Sequence, residues 1–248
     1  MKIVKTYTTP NTTDFIPLYD QIMRAPSVLI AGTPGSGKSV LLNGLIYNTL
    51  AKYAPSAKMF FIDPKRVELS RYSALPHCAG IAKDPRAACD LLEQVAYIME
   101  NRYKDMERAG QVKSSAPPVF VFIDEIADIM LSDYQKPFTK LLQHILQLGR
   151  AARITVVYAT QIPARRILPP QIHAVTVEKI ALRCVSAIES RQVINKPGAE
   201  TLPRYGQAIW LGADGYQNIK NIPLISDDKI NARIAYWKRQ RGKIHISL

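Results

Sequence analysis

Val28-Leu29-Ile30-Ala31-Gly32-Thr33-Pro34-Gly35-Ser36-Gly37-Lys38-Ser39 is the run that decides how this chain folds. The apolar start at 28–31 predicts a buried strand, and Val40, Leu41, Leu45, Ile46 and Leu50 recur behind the run at helical spacing. Between them Gly32, Gly37, Lys38 and Ser39 fit the pattern G-x-x-x-x-G-K-[ST]. Such a loop wraps a phosphate chain in backbone N–H groups at a helix N-terminus, while the lysine and hydroxyl reach further out. Gly32, Thr33, Pro34, Gly35, Ser36, Gly37, Lys38, Ser39 and Val40 are therefore the candidate nucleotide-binding residues.

Around that loop, short apolar runs alternate with helical patterns. Strands are expected at 58–62, 119–123 and 154–158, with two weaker ones at 177–182 and 207–211. Asp84-Pro85 reads as an N-cap followed by proline in the first turn, and apolar residues from Leu91 to Met106 recur at helical spacing up to Gly110. Further helices are expected at 137–150 and 227–241. The segment from 64 to 81 reads as loop. Strands alternating with helices predict an α/β fold with a mostly parallel central sheet and helices on both faces. Three parts are expected: an N-terminal arm at 1–24, broken by Pro10 and Pro17, a nucleotide-binding domain at 25–226, and a basic C-terminal helix and tail at 227–248.

Composition narrows the class. The 248 residues are 47% hydrophobic and 21% charged, an ordinary globular balance rather than that of a disordered chain. The net charge of +13 is not ordinary and points to a polyanionic partner. Cys78, Cys89 and Cys184 are odd in number and widely spaced, which argues against a disulfide framework or a zinc site and for a reducing compartment. The four histidines lack metal-ligand spacing. No apolar run reaches the length of a membrane helix and no signal peptide is evident, so a soluble, cytoplasmic protein without membrane insertion is expected.

The chemistry-bearing residues close the strands. Asp124-Glu125 follows the most continuously hydrophobic strand, at the sheet edge where open α/β folds bind ligands. In a nucleotide hydrolase the first acid holds Mg²⁺ beside the hydroxyl of Ser39, and the second deprotonates the attacking water. Asp124 and Ser39 are thus the candidate metal residues, with Glu125 as base and Lys38 as catalytic cation. Gln161, after Ala159-Thr160, is placed to sense the terminal phosphate.

Taken together, the phosphate loop, Ile62-Asp63-Pro64-Lys65-Arg66-Val67-Glu68-Leu69-Ser70, Ile123-Asp124-Glu125-Ile126-Ala127-Asp128, Ala159-Thr160-Gln161 and Pro197-Gly198-Ala199-Glu200 resemble the motor domain of the FtsK/SpoIIIE DNA translocases. The resemblance spans roughly residues 25–240. It implies a RecA-like P-loop NTPase fold, a hexameric homo-oligomeric ring, ATP and Mg²⁺ as cofactors, and movement of double-stranded DNA. It also implies a trans-acting arginine finger at Arg150, with Arg153 as second candidate, and DNA contacts at Arg165, Arg166, Arg183 and Arg191.

The chain departs from the family pattern in two places. Val185-Ser186-Ala187 replaces Ser-Ser-Lys, which removes an expected pore lysine, and Ile162 follows Ala-Thr-Gln in place of arginine. Backbone-phosphate binding tolerates such changes because it needs exposed cations and no base code, and Arg165-Arg166 would compensate. The membrane region and C-terminal DNA-reading domain of chromosomal translocases have no counterpart in this sequence, which suggests a phage, plasmid or integrative element. A packaging or conjugative-transfer ATPase is the alternative of the same class; a nucleotide-dependent DNA-binding switch or recruitment module is the alternative of another.

Overall fold

The structure, a computed structural model, describes residues 16–53 and 56–240. Along the chain lie α1 (Pro17–Ile22), β1 (Ser27–Ala31), α2 (Lys38–Tyr53), β2 (Lys58–Ile62), β3 (Cys78–Ala82), α3 (Pro85–Ala109), β4 (Val119–Ile123), α4 (Ala127–Met130), α5 (Gln135–Leu148), β5 (Ile154–Thr160), α6 (Pro170–Val175), β6 (Glu178–Ala181), α7 (Ala187–Ile194), β7 (Ala208–Gly212), β8 (Gly215–Ile219) and α8 (Asp227–Arg239). The strands form one eight-stranded sheet in the order β3-β2-β4-β5-β1-β6-β7-β8. From β3 to β6 every pairing is parallel; β7 and β8 close the far edge as an antiparallel hairpin.

The apolar runs make this a three-layer molecule. In β4, Val119, Val121 and Ile123 enter one core with α3 and α5, while Phe120 and Phe122 enter the other with α1, α2 and α8. A strand that buries both faces needs apolar residues at every position, which is the Val-Phe-Val-Phe-Ile pattern. The α3 helix starts and stops as its sequence predicts. Asp84 accepts a hydrogen bond from Ala87 N at 2.8 Å, Pro85 occupies the first turn, and Gly110 ends the helix at φ 61°.

Several expected bounds differ. β3 forms in the stretch read as loop: its burial does not alternate, because it is an edge strand held by backbone bonds to β2. β8, absent from the sequence reading, pairs with β7 across a tight turn in which Gly215 has φ 87°. Its polar residues hid it. Of the expected arm, residues 1–15 lie outside the described residues, while α1 lies buried against α2 with Pro17 at its start, a position where proline costs nothing. Gly44 permits that packing, since a Cβ there would sit 2.4 Å from the Tyr19 ring. The basic α8 turns back onto the domain. Ile230 is buried, Asp227 pairs with Arg71 at 2.8 Å, and Trp237 stands edge-on to His77. Arg241 and Lys243 of the expected basic helix lie outside the described residues.

Candidate functional site

Strand order builds the site. Between β1, which leads into the glycine loop, and β4, which leads into the two acids, the sheet inserts β5. All three run parallel, so their C-terminal ends share one edge, with Ala31 level with Thr160 and Ile123 level with Tyr158. The strand that ends before Gln161 therefore lies between the one that leads to Lys38 and the one that leads to Asp124-Glu125. Sequence adjacency brings none of these groups together.

The glycine loop has the geometry of an anion cradle. Gly35 and Gly37 have φ of 75° and 99°, values that L side chains rarely adopt. Gly32 is excluded from carrying a side chain by space, because a Cβ would lie 2.6 Å from both Leu182 Cβ and Ser36 Oγ. Ser36 Oγ is buried without a hydrogen-bond partner among the described residues, an orphaned polar atom inside the loop. The loop borders a cavity of about 560 Å³ whose wall includes Thr33, Pro34, Lys38, Ser39, Val40 and Gln161. Its remaining wall, Tyr205, Gly206, Asn221, Ile222 and Leu224, was not singled out from the sequence, because these residues lie far along the chain from the glycine loop and carry no motif. The volume falls in the range of small-molecule sites. Glycine cradle, orphaned hydroxyl and paired carboxylates fit a magnesium-bound nucleoside polyphosphate.

Charges converge there. Lys38 Nζ donates to the carbonyl and to Oδ1 of Asp124, both at 2.6 Å, and the two side chains are almost wholly buried. A buried ammonium is sustained only by such pairing. Glu125 is 1% exposed and its carboxylate is crowded with donors: Gln161 N lies 3.2 and 3.1 Å from its two oxygens, Ala127 N 3.3 Å from Oε1, and Lys65 Nζ 3.4 Å from Oε2. Gln161 thus binds Glu125 through its backbone while bordering the cavity. Lys65 belongs to the Asp63 to Ser70 run that carried the family resemblance, yet sequence alone assigned it no role.

The arginines fall into three places. Arg150 is exposed beyond the α5 terminus and its guanidinium makes no hydrogen bond or ion pair among the described residues, whereas the Arg153 side chain donates to the Ala116 carbonyl at 3.0 Å and its backbone has φ 56°. Both precede β5, at the edge opposite the phosphate loop. The seven residues of β5 separate Arg150 from its own loop by roughly 20 Å, at about 3.3 Å per residue. Arg165 and Arg191 share a second cavity of about 480 Å³, with Arg166 exposed beside Arg165. Burial holds His173, on the same wall, below its ordinary pKa, so the positive charge there comes from the arginines. Arg183 is elsewhere, its carbonyl accepting from Thr33 N at 2.8 Å, beside the phosphate loop.

This fold and site define a P-loop nucleotide-binding domain of the α/β class. The FtsK/SpoIIIE family model matches residues 8–116. Two curated relatives, each a DNA translocase FtsK, are 33% identical: that of Sporosarcina ureae over 89% of this chain and 31% of its own length, and that of Tropheryma whipplei over 87% and 32%. The chain is a homologue of the FtsK/SpoIIIE family, and it spans about a third of the length of those relatives. The fold recurs in the pCW3 conjugation coupling protein TcpA, with TM-score 0.74, 21% identity and coverage of 86% of this chain and 64% of that one. It recurs also in the type VII secretion ATPase EccC of Thermomonospora curvata, with TM-score 0.71, 21% identity and coverage of 86% and 28%. Among the described residues no helix is long and apolar enough to cross a membrane.

Proposed function

We propose that the protein is a Mg²⁺-dependent ATPase that moves double-stranded DNA as a homo-oligomeric ring, with six subunits as the expected number. The observation that carries the reading is the meeting of Lys38, Asp124, Glu125 and Gln161 at one sheet edge beside the glycine cradle, in a homologue of DNA translocases. The loop N–H groups and Lys38 would hold the terminal phosphates, and Ser39 and Asp124 the metal. Bound Mg²⁺ supplies charge neutralisation on the phosphates. Glu125, oriented by Gln161 N and Ala127 N, would take the proton of the attacking water. Arg150 would serve the site of a neighbouring subunit, since its own is out of reach across the sheet. Arg165, Arg166 and Arg191 would contact DNA phosphates; Arg183 would act beside the phosphate loop. Within this reading, service to a phage, plasmid or integrative element and a place in the cytoplasm are the expected context.

Double-stranded DNA should stimulate phosphate release, and the protein should displace a triplex-forming strand from linear duplex, with Lys38→Ala inactive in both assays. A protein that stays monomeric with ATP and Mg²⁺, and whose ATP turnover ignores DNA, is a switch or recruitment module instead.

A further inference from the structure

The loop after β2 delivers a cation to the base. Asp63, fully buried, ties that loop shut: its Oδ2 accepts from Leu69 N at 2.9 Å and Ser70 N at 3.2 Å, and its carbonyl from Arg66 N at 3.0 Å. The tie forces Arg66 to φ 61°, a backbone region that non-glycine residues enter at a cost. Lys65 projects from this fixed base to Oε2 of Glu125. The same oxygen receives Gln161 N at 3.1 Å, and Gln161 borders the nucleotide cavity, so Oε2 of Glu125 links the ammonium to a residue of the cavity wall. The two partners differ in freedom. The Glu125 side chain is 2% exposed and pinned by backbone donors, whereas that of Lys65 is 40% exposed and held by one long contact.

We propose that Lys65 is a positioning residue shared between Glu125 and the terminal phosphate of a bound nucleoside triphosphate. This rests on the reading of Glu125 as the base. A third phosphate brings negative charge towards a buried carboxylate, and that repulsion would penalise triphosphate binding. A cation reaching both anions removes the penalty, and its shift towards the phosphate frees Oε2 to accept a proton from water. A diphosphate ends short of this point and draws nothing from Lys65. The residue therefore makes the site discriminate triphosphate from diphosphate and couples that discrimination to release of the base.

The test is calorimetric titration of ATPγS and of ADP, each with Mg²⁺, into the parent protein, Lys65→Ala and Lys65→Arg. Lys65→Ala is expected to weaken ATPγS about tenfold, the scale of one charge-assisted hydrogen bond, and to leave ADP within about twofold. Lys65→Arg is expected to keep the preference for ATPγS. Equal weakening of both ligands would mean that Lys65 only supports the loop, and no change in either would mean that it never meets the phosphate; both results overturn the proposal. Melting temperatures without nucleotide report on folding of each variant. The base assignment fails separately, on parent-like turnover in Glu125→Gln, while the ATPγS-to-ADP ratio still judges Lys65.

Discussion

Replacing Glu125 by glutamine probes the chemistry and the hydrogen bonding of the site at once. The change keeps the side chain's size but turns one carboxylate oxygen into an NH₂ group. Whichever oxygen is replaced, a donor then faces a donor: Oε1 receives Ala127 N and Gln161 N, and Oε2 receives Gln161 N and Lys65 Nζ. One buried donor left unsatisfied costs about 1–3 kcal/mol. At this chain length each kcal/mol moves the midpoint by roughly 2–4 °C, so melting should fall by about 5 °C. Loss of the base should lower turnover by about 10²- to 10⁴-fold while ATPγS binding persists. Phosphate release at saturating ATP, Mg²⁺ and duplex DNA, together with thermal melting of the nucleotide-free protein, reads both effects. Turnover within about threefold of the parent, far short of a general base's contribution, refutes the role of Glu125. An unchanged or raised melting temperature refutes the hydrogen-bond assignment.

Arg150→Ala should lower turnover by about 10³-fold, and mixing it with Lys38→Ala protein should restore part of the activity, because each subunit would supply what the other lacks; undiminished turnover in Arg150→Ala alone contradicts a trans role. Gly44→Ala drives a methyl to 2.4 Å from the Tyr19 ring, so despite the better helix propensity of alanine it should destabilise the domain by about 1–3 kcal/mol in urea denaturation, and Tyr19→Leu should recover much of the loss. His77, wholly buried with neither ring nitrogen hydrogen-bonded among the described residues, has its pKa pushed down by burial from 6.5 to about 4. Between those values the unfolded chain takes up a proton that the folded chain refuses, so the contribution is intact above pH 6.5 and is lost as pH falls towards 4. That loss is about 2 kcal/mol at pH 5, and urea denaturation at pH 7 and pH 5 should show a correspondingly smaller pH effect in His77→Phe.

Much of the site was legible because its signals are local. The glycine spacing from Gly32 to Ser39 is set by the backbone conformations of a single loop, and Asp124-Glu125 announces itself by following a strand apolar on both faces. Helix α3 is written out from its Asp84 cap to Gly110. Elements at the margins were harder. β3 and β8 are edge strands with partly exposed faces, and their stability comes from backbone pairing with β2 and β7 rather than from a periodic apolar pattern. The short α1 is held by packing of Tyr19 on Gly44, a contact between residues too far apart for any periodicity to register.

By itself, then, the sequence determined the alternation of strands and helices, the phosphate loop, the acids at a strand end and, through the longer motif runs, the family. The elements follow from short-range backbone preference and apolar spacing, and the family from the resemblance of the motif runs. The tertiary structure alone decided that β5 lies between β1 and β4, which places Gln161 N on Glu125; that Arg150 and its own phosphate loop occupy opposite edges of the sheet; that Arg183 parts from Arg165 and Arg191; and that Lys65 reaches the base. These depend on the order in which strands pair, and strand order is set by how two cores fill on either side of the sheet, a property of all the buried side chains together and of no stretch alone.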